Sequence, residues 1–182
     1  MTQEAFEKMT QELLIAIDAL LKNELRVPGL LLLYAGIDIM ASWNRSEAHA
    51  HVVRGDFVEW AERHLLYGTR LGCGPQDLYA ARCGLLHFYT AESRASRQAE
   101  AKQIWYAWGT VRAQHLQTLI NDAEVPSAMA LHVDDLCRSF RRGVKLFKRS
   151  LYNDPNKADL VYERAAKFFA NMPPLATGDR SS

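Results

Sequence analysis

The stretch VPGLLLLYAGIDIMASW, Val27 to Trp43, carries one charge, Asp38, and is otherwise apolar nearly throughout. It is shorter than the roughly 20 residues that cross a bilayer, and it opens on Pro28-Gly29. Proline suits a first helical turn, where its missing N–H leaves no bond unmade. The stretch therefore predicts a helix over about 28–43. A helix apolar all round must be buried on all sides, so it predicts the centre of a bundle and no membrane span.

The flanking sequence supplies the rest of such a bundle. Phe6, Met9, Leu13, Ile17, Leu20 and Leu21 recur at helical spacing and predict a first helix over about 3–25. DFVEWAERHLL predicts a helix over about 55–68, and Gly68, Gly72, Gly74 and Pro75 mark a loop. The next helix runs from Pro75 or Gln76 to about Ser93. KQIWYAWG, rich in aromatics and ending in glycine, reads as a short strand paired with HLQTLI in a β-hairpin around 103–120. Helices over about 126–152 and 155–170 follow. The expected fold is mainly α: a bundle of five to six helices with a short hairpin, one domain over 1–172, and a disordered tail, PPLATGDRSS, over 173–182. A length of 182 residues fits one core and not two.

A net charge of +1 gives no global field toward nucleic acid or membrane, so any polyanion site is a local patch. Cys73, Cys83 and Cys137 are odd in number and form no Cys-x-x-Cys pair. That argues against a disulfide framework and a cysteine-rich zinc site, and for reduced thiols in a cytoplasm. The acidic, amphipathic start MTQEAFEKMTQELL does not read as a signal peptide. Neither G-x-x-x-x-G-K-[ST], G-x-G-x-x-G, H-E-x-x-H nor G-x-S-x-G occurs, so nucleotide hydrolysis, dinucleotide redox and α/β-hydrolase chemistry have no support. In SEAHAH, Glu47, His49 and His51 lie close together, but no further ligand cluster accompanies them; no metal and no cofactor are expected.

The chemistry-bearing motif lies in DLYAARCGLLHFYTAESR, where Arg82 and His87 enclose four residues. Five α-helical positions turn through about 500°, which leaves the two about 140° apart. One regular helix does not aim both at one atom, whereas two copies meeting across a two-fold axis collect both pairs in a shared cleft. An arginine neutralises charge growing on a phosphate, and a histidine moves the proton of a ribose hydroxyl. The structural alternative has His87 as a hydrogen-bonded histidine between core and surface, and Arg82 paired with Asp77 or Glu92.

An all-helical chain carrying R-x-x-x-x-H in a late helix resembles the HEPN superfamily, whose motif is Arg, four to six residues, then His. Arg82 and His87 match it, with Cys83 where active members often have Asn, Asp or His. The resemblance covers about residues 1–95. It implies a compact helical bundle that dimerises, a metal-independent ribonuclease or an RNA-binding relic of one, Arg82 and His87 as the catalytic pair, and a protein antitoxin or regulator among its partners. The alternative function is a non-catalytic helical interaction module acting through the same homodimer.

Arg138, Arg141, Arg142, Lys145, Lys148 and Arg149 in CRSFRRGVKLFKRSLYN fall in one stripe about 120° wide. Leu136, Phe140, Val144, Phe147 and Leu151 lie opposite. The stripe reads either as a ridge for RNA phosphates or as a solvated face with acidic partners on neighbouring helices. Trp105, Tyr106 and Trp108 likewise read either as base-stacking groups or as core and interface packing.

Overall fold

The computed structural model describes residues 2–88 and 100–170, with side chains described over 3–86 and 100–167. Two helices, α1 (Thr2–Lys22) and α2 (Arg26–Asn44), are joined by a tight turn in which Glu24 takes a φ of 57°. α2 is the apolar stretch, and Leu30, Leu33, Tyr34, Ile37, Met40 and Trp43 are all buried along it. Each large side chain so removed from water contributes roughly 1.5–3 kcal/mol.

α3 (Arg54–Trp60) runs on into a π turn, Ala61–Leu65. Asp56 starts it: Oδ2 accepts the Val53 N–H at 2.8 Å, satisfying a donor that a helix start otherwise leaves open. α4 (Pro75–Cys83) also ends in a π turn, Gly84–Phe88. Asp77 performs the same service there, accepting from Gly74 N–H at 2.8 Å, while its other oxygen accepts from Lys102 N–H at 2.7 Å.

The second half contains β1 (Gln103–Ala107), α5 (Ala113–Asp122), β2 (Ala128–His132), α6 (Val133–Tyr152) and α7 (Pro155–Ala170). The molecule is mainly α, with seven helices among the described residues. α1, α3, α6 and α7 all pack on α2, so the apolar stretch does occupy the centre.

The strand at 103–107 forms, but the hairpin does not. His115–Ile120 is helical, and β1 pairs with β2 in parallel, Gln103 opposite Ala128 through Ala107 opposite His132. Parallel strands need a crossover, and α5 supplies it. Its Leu116 and Ile120, four apart on one face, turn toward the protein, and Ile120 is buried. Gln117 accepts the Ala130 N–H at 2.9 Å, which satisfies a donor of β2. The late helix accordingly begins at Val133 and not near 126, because Ala128–His132 belongs to the sheet.

Tyr34 of α2 and Tyr106 of β1 share a hydrogen bond of 2.6 Å between hydroxyls, which ties the sheet to the bundle. Most of the buried apolar side chains among the described residues form one cluster. No helix among the described residues is long and apolar enough to cross a membrane. The expected extension of α4 to Ser93 and the tail 173–182 lie outside the described residues.

Candidate functional site

Arg82 stands in the last turn of α4, and its Nε donates to Asp38 Oδ2 at 2.7 Å. Both side chains are 22% exposed. The one charge in the apolar stretch therefore faces α4 and receives an arginine there. Burial works against the charge on Arg82, but the hydrogen bond and the charge of Asp38 outweigh it, and its pKa rises. Arg82 is held as a fixed cation at the edge of the core.

Tyr79, one turn earlier on α4, lies beneath two guanidiniums, Arg54 at 5.4 Å and Arg82 at 6.0 Å from the ring centre. Gln76 Oε1 anchors Arg54 by accepting from Nη2 at 2.7 Å and Nε at 3.3 Å. Burial raises the Tyr79 pKa, and the neighbouring Cys83 thiol adds to it, while both arginines oppose it. Phe57 meets the Tyr79 ring edge-on at 5.4 Å. Two cations and an aromatic ring thus share one surface between α3 and α4, with Asp38 behind them.

His87 lies in the π turn Gly84–Phe88; its side chain falls outside the described residues. An α-helix would leave positions 82 and 87 about 140° apart. A π turn rotates less per residue than an α-helix, and this one occupies the interval between them, so position 87 swings back toward the side carrying Arg82. Asp77, one expected partner of Arg82, is instead engaged with the Gly74 and Lys102 N–H groups. Glu92, the other, lies outside the described residues.

The basic stripe on α6 divides between two flanks. Toward α1, Arg141 pairs with Asp18 and Lys148 with Glu7. Toward the loop after α3, Arg142 donates to the carbonyls of Gly68, at 3.0 Å, and Tyr67, and Arg138 pairs with Asp135. Lys145 and Arg149 lie between, exposed and without an ion pair among the described residues. Acidic partners do come from a neighbouring helix, as one of the two readings of the stripe requires.

Of the three aromatics in IWYAW, Trp105 is the exposed one. Tyr106 is bonded to Tyr34 and Trp108 packs beside Tyr106 at 6.4 Å. Glu47, His49 and His51 are all exposed, and His49 is held by Asp56. Among the described residues no group of three or more His, Cys, Asp or Glu is placed to hold a metal ion.

Asp38, Tyr79, Arg54 and Asp56 are the residues that sequence reasoning missed here. For Asp38 there was a signal: a lone carboxylate in an otherwise apolar helix needs a buried cation. No protein-family model, no curated protein and no solved structure matches this chain.

Proposed function

We propose that the chain acts on RNA as a HEPN-like, metal-independent ribonuclease, with Arg82 and His87 as the catalytic pair. The observation that supports this reading is the setting of Arg82: a guanidinium kept charged by Asp38, beside Tyr79 and Arg54 at the surface. Arg82 Nε donates to Asp38 Oδ2, and Nη1 reaches the Cys83 thiol at 4.0 Å. The planar group suits the non-bridging oxygens of a phosphate. Arg54 offers a second cation for the adjoining phosphate.

The reaction follows from these groups. His87 takes the proton of a ribose 2′-hydroxyl, and the 2′-oxygen bonds to the adjacent phosphorus. The bond from phosphorus to the 5′-oxygen breaks, and that oxygen takes up a proton. Arg82 offsets the negative charge that grows on the phosphate oxygens. The products are a 2′,3′-cyclic phosphate and a 5′-hydroxyl.

The test is cleavage of end-labelled single-stranded RNA in EDTA by wild type and His87→Ala. Wild type should cut, leaving 5′-hydroxyl ends. His87→Ala should not, and a 2′-deoxy nucleotide at the cut site should resist. Equal cutting by both proteins, or by neither, would remove the pair from catalysis and leave the non-catalytic interaction module as the reading.

A further inference from the structure

Asp38, Ser42 and Arg45 follow one another at intervals of four and three residues along α2, and so share one face. Where α2 ends, a cavity of about 580 Å³ opens between it and α7, lined by Arg45, His49, Arg164 and Lys167 and also by the carboxylates Glu47 and Glu163. Two guanidiniums gather there at the carbonyl end of α2. Arg164 Nη1 donates to Trp43 O at 2.8 Å and to Arg45 O at 2.6 Å. Arg45 donates from Nη1 to Ser42 O at 2.6 Å and from Nε to His49 O at 3.2 Å. The C-terminal carbonyls of a helix attract cations, but the two cations also repel each other: burial, then Arg45, depresses the Arg164 pKa. Lys167 is paired with Glu163 at 2.7 Å.

His49 completes the lining. Its Nδ1 lies 3.0 Å from Asp56 Oδ1. Asp56 is 3% exposed, and its other oxygen accepts the Val53 N–H. An ionised carboxylate only accepts hydrogen bonds, so Nδ1 carries the proton. Nε2 is then the working nitrogen, and it makes no hydrogen bond among the described residues. Capping α3 needs one oxygen of Asp56; the second is spent on fixing the ring of His49.

We propose that this cavity binds a phosphomonoester, whose oxygens take N–H groups of Arg45 and Arg164 and whose last ionisable proton is shared with His49 Nε2. A phosphomonoester loses its second proton near pH 6, so its monoanion still carries a P–OH. Nε2 accepts from that P–OH. Sulfate and phosphodiesters have no such proton at neutral pH, so the site discriminates against them. The proposal stands apart from the Arg82–His87 reading.

The shared chemistry is a terminal phosphate, free or at the 5′ end of RNA. The full chain is titrated calorimetrically at neutral pH with inorganic phosphate, AMP, sulfate, and 5′-phosphorylated and 5′-hydroxyl oligoribonucleotides. Phosphate and AMP should bind, and sulfate about tenfold or more weaker, the worth of one charge-assisted hydrogen bond. His49→Asn keeps an N–H for Asp56 but lacks Nε2, so it should lose the preference for phosphate over sulfate while melting like wild type. Arg164→Gln should weaken binding of both anions. His87→Ala should bind phosphate as wild type does, which separates this site from the ribonuclease proposal. Tighter binding of the 5′-phosphorylated oligonucleotide than of AMP identifies the RNA end as the ligand, and the reverse a small phosphomonoester; both support the site. Equal binding of phosphate and sulfate, no binding of phosphate at millimolar concentration, or a folded His49→Asn that keeps the preference would overturn it.

Discussion

Arg82 and Asp38 show what a single pair can do for both stability and chemistry. Removing Arg82 leaves a carboxylate in a half-buried position without its charged donor, a loss of about 1–3 kcal/mol. Urea melts of Arg82→Ala should show a deficit in that range, and Arg82→Lys should recover only part of it, because lysine keeps the charge but not the planar fork. His64 offers a second residue-level expectation. It is buried against Trp60 and Phe147, and its Nε2 finds no partner among the described residues. Burial, then the charges of Lys157 and Arg63, push its pKa down from 6.5 to about 4. The folded chain therefore holds His64 neutral where the unfolded chain protonates it. Stability from this group is full above pH 6.5 and falls as the pH drops toward 4, by at most about 3 kcal/mol. His64→Leu should flatten that slope relative to wild type in melts between pH 4 and 7, with the carboxylates common to both proteins cancelling in the difference. The spacing of Arg82 and His87 was legible in the sequence as a motif. The partner of Arg82 was not, because Asp38 lies on another helix and only packing brings the two within 2.7 Å.

At the scale of elements, α1 was legible from its long apolar periodicity, α2 from being apolar nearly all round, and α3 from the apolar residues of DFVEWAERHLL. The sheet was half legible. Gln103–Ala107 has the aromatic and branched residues of a strand, but Ala128–His132, AMALH, contains no β-branched residue and reads as part of the helix that follows it. His115–Ile120 was mistaken for a strand because a six-residue apolar-polar run does not distinguish a strand from one helical turn and a half. The π turns at Ala61–Leu65 and Gly84–Phe88 left no mark in the sequence at all. The first has a measurable consequence. A Cβ on Gly143 of α6 would meet Leu65 Cα at 3.0 Å and the His64 carbonyl carbon at 3.1 Å. These are backbone atoms and do not swing aside. Gly→Ala inside a helix ordinarily gains up to about 1 kcal/mol; here overpacking should reverse the sign and cost about 1–3 kcal/mol. Thermal melts of Gly143→Ala against Gly55→Ala, a helical position where an added Cβ meets nothing within 4 Å, decide it, since a stabilised Gly143→Ala would mean that α6 and the π turn part easily.

Across the whole molecule the charge is nearly balanced, so the placement of cations matters more than their number. α6 gives up Arg141 and Lys148 to acids of α1, and Arg142 to carbonyls of the loop after α3. The arginines facing Tyr79 and the cavity at the end of α2 come from four different helices or their ends: Arg45, Arg54, Arg82 and Arg164. No stripe in the sequence announces that grouping, because it exists only once α2, α3, α4 and α7 are packed. On the proposed reading RNA phosphates lie at Arg54 and Arg82, and the salt dependence of binding counts them. Each phosphate neutralised on a single strand contributes about 0.7 to the slope of log K against log salt. Arg54 and Arg82 alone give a slope of about −1.4 for 5′-hydroxyl RNA, and one more phosphate, a 5′-phosphate held by Arg45 and Arg164, brings it to about −2.1. Fluorescence anisotropy of labelled RNA with the non-cutting His87→Ala protein, from low to moderate salt, measures both slopes. Arg54→Gln should lower the slope by about 0.7, whereas Lys145→Gln with Arg149→Gln should leave affinity within about twofold, since α6 then contributes no phosphate contact. A large loss from the α6 pair with none from Arg54→Gln would move the interface to the late helix and away from Arg82.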